Sequence, residues 1–282
     1  MTLKYVAPTT ISEAVQLLEE DNSQPLAGGT DLMVDRRSRN SSKILINIKQ
    51  IPELCQISPG GSFQIEIGSC TTMKELKEHP WIRKRLNALF LAASTVGSVQ
   101  IRSRATIGGN LANGSPCADT APALLVLGAS IVIVGSRGMR KIPLSDFFLG
   151  AKKTNLQQGE IVKSIKIELP CPVRSTFLKI KRVQGPDLAL VNLAGAFYPE
   201  KGILKVAVGS AAPIPILLPD IKTTGSPTSL PNLKKKVSQL ASQGTRPIDD
   251  VRSSAEYRRR MISLLSRRMV DNLFSDNRRG RS

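Results

Sequence analysis

The chain has 282 residues, of which 40 are lysine or arginine and 22 are aspartate or glutamate, and its net charge is +18. This length predicts one large or two modest domains and excludes a miniprotein, and a hydrophobic fraction of 41% is typical of a globular protein rather than a disordered chain. No apolar run is long enough to span a bilayer, and the start lacks a signal-peptide core, so we expect a cytoplasmic protein.

The positive charge is concentrated in the last third of the chain, in the lysine run 234–236 and the arginine-rich stretch 258–281. Such charge suits a polyanion, an acidic protein surface or an anionic cofactor, and charge alone does not choose among them. The simplest interpretation is a solvated helix face followed by a frayed end. The few aromatic residues form no basic-aromatic platform, which disfavours nucleic-acid binding.

Four scattered cysteines and one histidine limit the possible chemistry. Structural zinc and iron–sulfur clusters need about four thiolate or imidazole ligands at clustered spacing, so we expect no metal site in this chain. The histidine, His79, precedes Pro80 in a segment typical of a helix break. A Ser-His-Asp or Cys-His catalytic centre is therefore disfavoured.

The first fifty-five residues predict a small β-α-β unit. The helix begins at a Thr10-x-x-Glu13 capping box, and a short strand at Pro25 runs into a glycine turn. A second helix is expected to begin in 32–37. The flanking strands are predicted at 3–6 and 44–48.

Residues 56–170 predict a second, larger unit. Its long polar segment 105–116 is glycine-rich and is predicted to be a loop, and loops of that length inside a compact domain are usually functional. The strands are predicted at 64–69, 130–134 and 160–169, and the helices at 72–78, 81–96 and 122–127.

Pro170-Cys171-Pro172 predicts a domain boundary, because paired prolines neither continue a strand nor start a helix without cost. Three strands with the spacing of an antiparallel meander follow, and then two helices. The strands are predicted at 176–183, 189–198 and 204–209, and the helices near 230–242 and 248–273.

Two segments combine adjacent glycines with a threonine and a small polar residue: Leu26-Ala27-Gly28-Gly29-Thr30-Asp31 and Ala105-Thr106-Ile107-Gly108-Gly109-Asn110. Glycine permits positive φ and close approach of a ligand, so successive N–H groups can converge on phosphate oxygens. Gly-Gly turns are common, so either segment alone favours an ordinary structural turn. Neither matches the dinucleotide fingerprint or the phosphate loop of nucleotide-binding proteins.

The two segments occur in order with further motifs, which are Gln100-Ile101-Arg102, Phe147-Phe148-Leu149-Gly150, Asp187-Leu188-Ala189-x-Val191-Asn192 and Gly209-Ser210-Ala211-Ala212-Pro213. Together they resemble the FAD-binding, or medium, subunit of the molybdenum hydroxylases. That family includes xanthine dehydrogenase and the aerobic carbon monoxide dehydrogenases. The resemblance covers nearly the whole chain.

The resemblance implies an α+β fold of the FAD-binding PCMH (vanillyl-alcohol-oxidase) type. Two α/β subdomains, at about 1–55 and 56–170, hold the flavin and form a first domain, 1–170. The second domain, 171–282, is a CO dehydrogenase flavoprotein-like C-terminal α+β domain with a three-stranded antiparallel sheet.

The resemblance also implies which residues bind FAD. The two glycine segments line its diphosphate and ribityl chain, Ala118 and Asp119 lie near its ring system, and Val162 and Lys179 occupy positions that contact FAD in relatives. Two of these residues also have a purely structural interpretation. Asp119 could cap the following helix, and Lys179 could be an exposed lysine on a strand. The implied set is Leu26, Ala27, Gly28, Gly29, Thr30, Asp31, Leu32, Ala105, Thr106, Gly108, Gly109, Asn110, Ala112, Asn113, Ala118, Asp119, Val162 and Lys179.

The implied function is electron transfer within a multi-subunit oxidoreductase. Partner subunits carry [2Fe–2S] clusters and molybdopterin, and FAD in this chain passes electrons to NAD or another acceptor. A hetero-oligomer such as a dimer of heterotrimers is expected, with no catalytic side chain in this chain. The high positive charge is expected to match acidic surfaces on the partner subunits.

Eukaryotic xanthine dehydrogenases have an aromatic residue and an arginine where Ala151 and Lys152 stand, which leaves NAD, oxygen, ferredoxin and quinone open as acceptors. The alternative function is a stand-alone FAD-dependent reductase of the same fold.

Overall fold

The computed structural model describes residues 3–34, 44–223 and 229–274. Residues 31–34 form a turn, and the remainder of the helix predicted at 32–37 lies outside the described residues. The end of the arginine-rich stretch, beyond residue 274, also lies outside them.

The first lobe is a parallel three-stranded sheet covered by one helix. Helix α1 (Ile11–Leu18) buries Ala14, Val15 and Leu18 on its inner face. The Thr10 hydroxyl accepts the N–H of Glu13, but the Glu13 carboxylate accepts from Thr9 rather than from Thr10, so the predicted capping box is only half formed. The strands are β1 (Lys4–Val6), β2 (Ser23–Leu26) and β3 (Ile44–Asn47), with β3 in the middle.

The second lobe contains an antiparallel sheet of five strands, and its central strand β10 pairs with β5 and β6. Its order is β4-β5-β10-β6-β7. The sequence patterns missed the two edge strands, β4 and β7. The strands of this lobe are β4 (Ile57–Pro59), β5 (Gln64–Gly68), β6 (Ser130–Gly135), β7 (Gly138–Pro143) and β10 (Ile161–Glu168), with a separate hairpin of β8 (Phe148–Gly150) and β9 (Lys153–Thr154).

The helices of the second lobe differ from the prediction at 81–96 and at 105–116. His79 ends α2 and precedes α3, as its position before Pro80 predicted. The helix expected over 81–96 is broken at Leu86, and the expected loop 105–116 contains a helix, α6. The helices are α2 (Met73–Glu78), α3 (Pro80–Arg85), α4 (Asn87–Thr95), α5 (Val99–Arg102), α6 (Ile107–Ala112) and α7 (Thr120–Val126).

The remaining residues form the predicted antiparallel meander, followed by two helices. Two short strands also pair with β13, so the sheet is larger than the expected three strands. The second helix begins at Ala255 rather than near 248. The elements are β11 (Arg174–Ile180), β12 (Val191–Tyr198), β13 (Ile203–Gly209), β14 (Ile216–Leu217), β15 (Ile221–Lys222), α8 (Leu230–Gly244) and α9 (Ala255–Phe274).

The C-terminal sheet packs on both of its faces. One face shares a continuous apolar core with the second lobe, where the Tyr198 hydroxyl donates to the carbonyl of Val126 over 2.8 Å. Residues of α8 and α9 cover the other face. The shared core fixes β11 against α4, and β12 and β13 against α7, and so determines which strand residues lie beside the second lobe.

Candidate cofactor-binding site

A cleft of about 680 Å³ is lined by residues of both lobes and of β11. Every residue of the predicted FAD-binding set lines it, from Leu26–Leu32 in the first lobe to Lys179 in the C-terminal sheet. The fold therefore brings the whole set together, and contact of each residue with FAD stays a prediction.

The first glycine turn presents main-chain donors. Gly29 has a φ of +72°, and the N–H of Met33 closes the turn on the Gly29 carbonyl over 3.0 Å. The amides of residues 28–32 have no acceptor among the residues that the structure describes. A Cβ on Gly28 would lie 2.1 Å from the Arg104 carbonyl oxygen, so this turn packs directly on the second lobe.

The second glycine segment uses its amides differently from the prediction. Thr106 caps α6, its hydroxyl accepting the N–H of Gly109 over 3.2 Å and its carbonyl that of Asn110 over 2.9 Å. The amides of Ile107 and Gly108 bond to carbonyls at Thr71 and Ser69. These four N–H groups are therefore already satisfied inside the protein.

The hydrogen-bond donors that this segment still has for a ligand belong to Thr106. In the described part of the chain its N–H has no acceptor, and its hydroxyl hydrogen remains available because the oxygen acts as acceptor toward Gly109. Gly108 has a packing role, since a Cβ there would lie 2.5 Å from the Cβ of Ser69. Asn110 is held in place by the Thr120 hydroxyl, which donates to its side-chain oxygen over 2.6 Å.

A buried ion pair forms one wall of the cleft. Lys179 Nζ lies 2.5 Å from Asp119 Oδ2, and the side chains are only 4% and 6% exposed. Asn192 donates to Asp119 Oδ1 over 2.9 Å, and Lys179 also donates to the Thr95 carbonyl over 3.3 Å. Burial raises the pKa of Asp119, while Lys179 and Asn192 act in the opposite direction.

These contacts contradict the structural interpretations of Asp119 as a helix cap and of Lys179 as an exposed lysine. Asp119 occupies the N-cap position of α7, but its side chain makes no capping hydrogen bond because it is engaged by Lys179 and Asn192. Lys179 is buried rather than exposed.

The structure adds residues that the sequence reasoning did not select. Asn192 belongs to one of the family motifs but is not in the predicted FAD-binding set, although its side chain donates a hydrogen bond to Asp119. Lys152 has a φ of +60° and donates to Asn113 Oδ1 over 2.6 Å at the cleft. Ser69, the residue after β5, lines the cleft and carries a buried hydroxyl with no hydrogen-bond partner in the described residues. Further lining residues are Val96, Gly97, Ile101, Ser115, Cys117, Leu156, Glu160, Ile161, Pro186, Asp187 and Leu188.

This arrangement fits a cofactor that carries an anionic group such as a diphosphate. Among the described residues, the amides at 28–32, the N–H of Thr106 and the hydroxyl of Ser69 have no acceptor, and an anionic group would accept their hydrogen bonds. Burying such an anion without donors would cost several kcal/mol.

Within the described residues, no group of three or more His, Cys, Asp or Glu side chains is placed to hold a metal ion. In the same part of the chain, each helix is too short or too polar to cross a membrane.

Comparison with known proteins identifies the family. Residues 1–170 match the model described as the FAD binding domain in molybdopterin dehydrogenase. The xanthine dehydrogenase FAD-binding subunit of Escherichia coli O157:H7 is 31% identical over 277 residues, covering 94% of each chain. The carbon monoxide dehydrogenase medium chain of Afipia carboxidovorans is 30% identical over 276 residues, covering 95% of each chain.

The structural comparison agrees over almost the full length. A chain of the carbon monoxide dehydrogenase from Hydrogenophaga pseudoflava superimposes with a TM-score of 0.89 at 28% identity, and the match covers 98% of each chain. The chain thus belongs to the FAD-binding family of the molybdopterin dehydrogenases, the oxidoreductases known as molybdenum hydroxylases.

Proposed function

We propose that this chain is the FAD-binding subunit of a multi-subunit molybdenum hydroxylase resembling xanthine dehydrogenase. In this proposal it takes electrons from [2Fe–2S] clusters on a partner subunit and passes them to NAD or another acceptor. The observation that carries the proposal is the cleft itself. The amides at 28–32, which have no acceptor in the described part of the chain, lie in the same cavity as the buried Lys179–Asp119 pair. FAD, when bound, supplies reversible uptake of one or two electrons.

The glycine turn of the first lobe would hold the diphosphate. Its free amides at 28–32 and the Thr30 hydroxyl are donors that need no rearrangement. Thr106 and Ser69 add donors from the second lobe. Ala112 and Asn113 would then line the ribityl chain.

Lys179 would orient the ring system and provide its electrostatic environment. Its ammonium has three hydrogens, and two of them are used by Asp119 and the Thr95 carbonyl. The third is available to an acceptor atom in the cleft that Lys179 lines. A buried cation next to the ring favours any state of the ring with added negative charge, which suits a site that receives electrons.

The hairpin between β8 and β9 would form part of the acceptor side. Its Lys152 is fixed by its bond to Asn113 and by its backbone N–H, which donates to Gly114 over 2.8 Å. A cationic group at this position suits an anionic acceptor such as NAD.

The first experiment expresses the chain alone and together with the proteins encoded by adjacent genes. We expect one tightly bound FAD per chain, and co-purification with iron–sulfur and molybdopterin subunits. Bleaching of the flavin absorbance by NADH would support NAD as the acceptor. A colourless, folded chain that refuses added FAD contradicts the proposal. A flavoprotein that turns over without any partner supports the stand-alone reductase instead.

A further inference from the structure

Two cysteines lie at the junction of the first and second lobes. Cys55 ends the segment that follows β3, and Cys70 is the second residue after β5. The chain segments carrying them run side by side, since the N–H of Cys70 donates to the Leu54 carbonyl over 2.7 Å and that of Gly68 to the Gln56 carbonyl over 2.8 Å. The two residues are therefore spatial neighbours although fifteen positions separate them in the chain.

The two thiols face the same piece of backbone. Cys55 Sγ lies 3.5 Å from the carbonyl oxygen of Lys49, and Cys70 Sγ lies 3.7 Å from that of the preceding residue, Ile48. The two carbonyls belong to consecutive residues, so both sulfur atoms lie against the same short segment after β3. Cys55 is partly exposed and Cys70 is buried, so only the first is reachable from solvent.

The electrostatics give the two thiols different reactivities. A hydrogen bond from Cys70 lowers the pKa of Cys55 to about 7, with burial and Glu75 acting against it and Lys49 assisting. The hydrogen bond with Cys55 and burial raise the pKa of Cys70. A partly exposed thiol with a low pKa next to a protected one is the arrangement of an attacking and a resolving cysteine.

We propose that Cys55 and Cys70 form a redox-active pair that hydrogen peroxide converts into a disulfide joining the two lobes. The Cys55 thiolate attacks one peroxide oxygen, the O–O bond breaks, and a sulfenic acid and hydroxide form. The Cys70 sulfur then attacks the Cys55 sulfur, the S–O bond breaks, and water leaves with the Cys70 proton. Two thiols are oxidised and one peroxide is reduced to two water molecules.

The position of the pair connects it to the cleft. The residues on either side of Cys70 are Ser69 and Thr71, whose carbonyls hold the first amides of α6, and Ile48 lines the cleft from the first lobe. Flavins that lose electrons to dioxygen release peroxide. Peroxide from the flavin depends on the proposed function, whereas the reaction of the two thiols with peroxide does not depend on it.

The test uses the full chain, reduced, with and without bound FAD. After treatment with stoichiometric hydrogen peroxide, the protein is denatured, alkylated with iodoacetamide and digested for mass spectrometry. We expect two of the four thiols to disappear, a Cys55–Cys70 cross-linked peptide, and full recovery of both thiols with dithiothreitol. The flavin-free sample gives the same cross-link, so the result is independent of FAD binding.

Variants separate the two roles. Cys55→Ser should abolish the reaction, and Cys70→Ser should leave Cys55 to over-oxidise to the sulfinic acid without a cross-link. Cys171→Ser, at a buried cysteine remote from the pair in sequence, is the matched control and should behave as the unchanged chain. Retention of all four thiols in the unchanged chain, over-oxidation of its Cys55 without a cross-link, or a cross-link to Cys117 would each overturn the proposal.

Discussion

Asp119 and Lys179 are sixty residues apart in the chain, yet they form an ion pair of 2.5 Å with both side chains almost fully buried. Asp119 lies before α7 in the second lobe, and Lys179 lies on β11 of the C-terminal sheet. The pair therefore connects the two parts of the chain at the wall of the cleft, and its loss should affect both stability and cofactor binding.

Lys179→Met tests this contribution to stability. The change leaves the Asp119 carboxylate buried with only Asn192 as a strong donor, which should cost about 3–5 kcal/mol of unfolding free energy. FAD should also bind more weakly, because the remaining N–H of the ammonium is lost. Urea unfolding of the flavin-free chain and FAD titration measure the two effects separately.

Lys205→Met is the matched control, because Lys205 lies in the same sheet and pairs with Asp220 at 3.7 Å near the surface. That pair should contribute less than about 1 kcal/mol. Equal destabilisation by the two variants would mean that burial of the Asp119 pair has no special energetic importance.

The sequence predicts features that depend on neighbouring residues better than those that depend on residues far apart in the chain. The glycine turn at Gly28 and the helix break at His79 are local, and both were predicted correctly. The environment of Lys179 is not local, because it depends on how β11 packs against the second lobe. A strand lysine has no local signal that distinguishes an exposed position from a buried pair, so its alternative stayed open until the fold was known.

The second glycine segment shows a different limit. Its composition predicted a loop offering amides to phosphate, whereas residues 107–112 form a helix whose first amides bond to Ser69, Thr71 and Thr106. A pair of adjacent glycines looks the same in the sequence whether a ligand or another part of the chain packs against it. The short edge strands were missed for a related reason. Strand β7 begins with Gly138, ends with Pro143 and contains only one β-branched residue, Ile142, so its sequence carries little strand signal.

Ser69→Ala should weaken FAD binding without destabilising the flavin-free chain. The Ser69 hydroxyl is buried and has no partner among the residues that the structure describes, so its removal relieves a desolvation cost in the free protein but takes away a donor when FAD is bound. We expect the Kd for FAD to rise about tenfold, equivalent to about 1.4 kcal/mol. Fluorescence titration with FAD and thermal unfolding of the flavin-free chain provide the two readouts.

Thr71→Val is the control for Ser69, since the Thr71 hydroxyl is also buried and unpartnered but Thr71 does not line the cleft. It should leave FAD affinity unchanged. If both variants weaken FAD equally, the effect comes from the backbone that supports α6 and the Ser69 hydroxyl is not a donor to the cofactor.

Gly28→Ala should disrupt the contact between the first turn and the second lobe. Because the new Cβ would lie 2.1 Å from the Arg104 carbonyl oxygen, backbone atoms must shift, at a cost of about 1–3 kcal/mol. FAD affinity should fall as the free amides at 29–32 move. Gly185→Ala provides the comparison, since its Cβ would meet no atom within 4 Å, and it should change neither property. Normal FAD binding by Gly28→Ala would show that this close approach is not needed for the site.

Alkylation of Cys55 should depend on pH differently from alkylation of an ordinary thiol. With its pKa lowered to about 7, its reaction with iodoacetamide should reach half its maximal rate near pH 7 rather than near pH 8.5. Cys70→Ala removes the main cause of this lowering and should move the midpoint upward, whereas Cys70→Ser keeps a donor and should move it less. A midpoint unaffected by Cys70→Ala would assign the low pKa to Lys49 instead.

The last prediction concerns acid stability at the start of α9. Asp250 Oδ1 lies 2.7 Å from Arg258 Nη2, and Asp250 Oδ2 lies 2.7 Å from Arg252 Nη2. Burial alone would raise the pKa of Asp250, but its bonds to Arg252 and the charges of both arginines hold that pKa well below its usual range. Because the unfolded chain takes up this proton near pH 3.9, the stabilisation is complete above about pH 5 and is lost as the pH falls further.

Asp250→Asn should therefore be destabilised most at pH 7, and the difference in melting temperature from the unchanged chain should shrink steadily toward pH 3. A difference that stays constant with pH would mean that the carboxylate contributes through hydrogen bonding alone, without its charge.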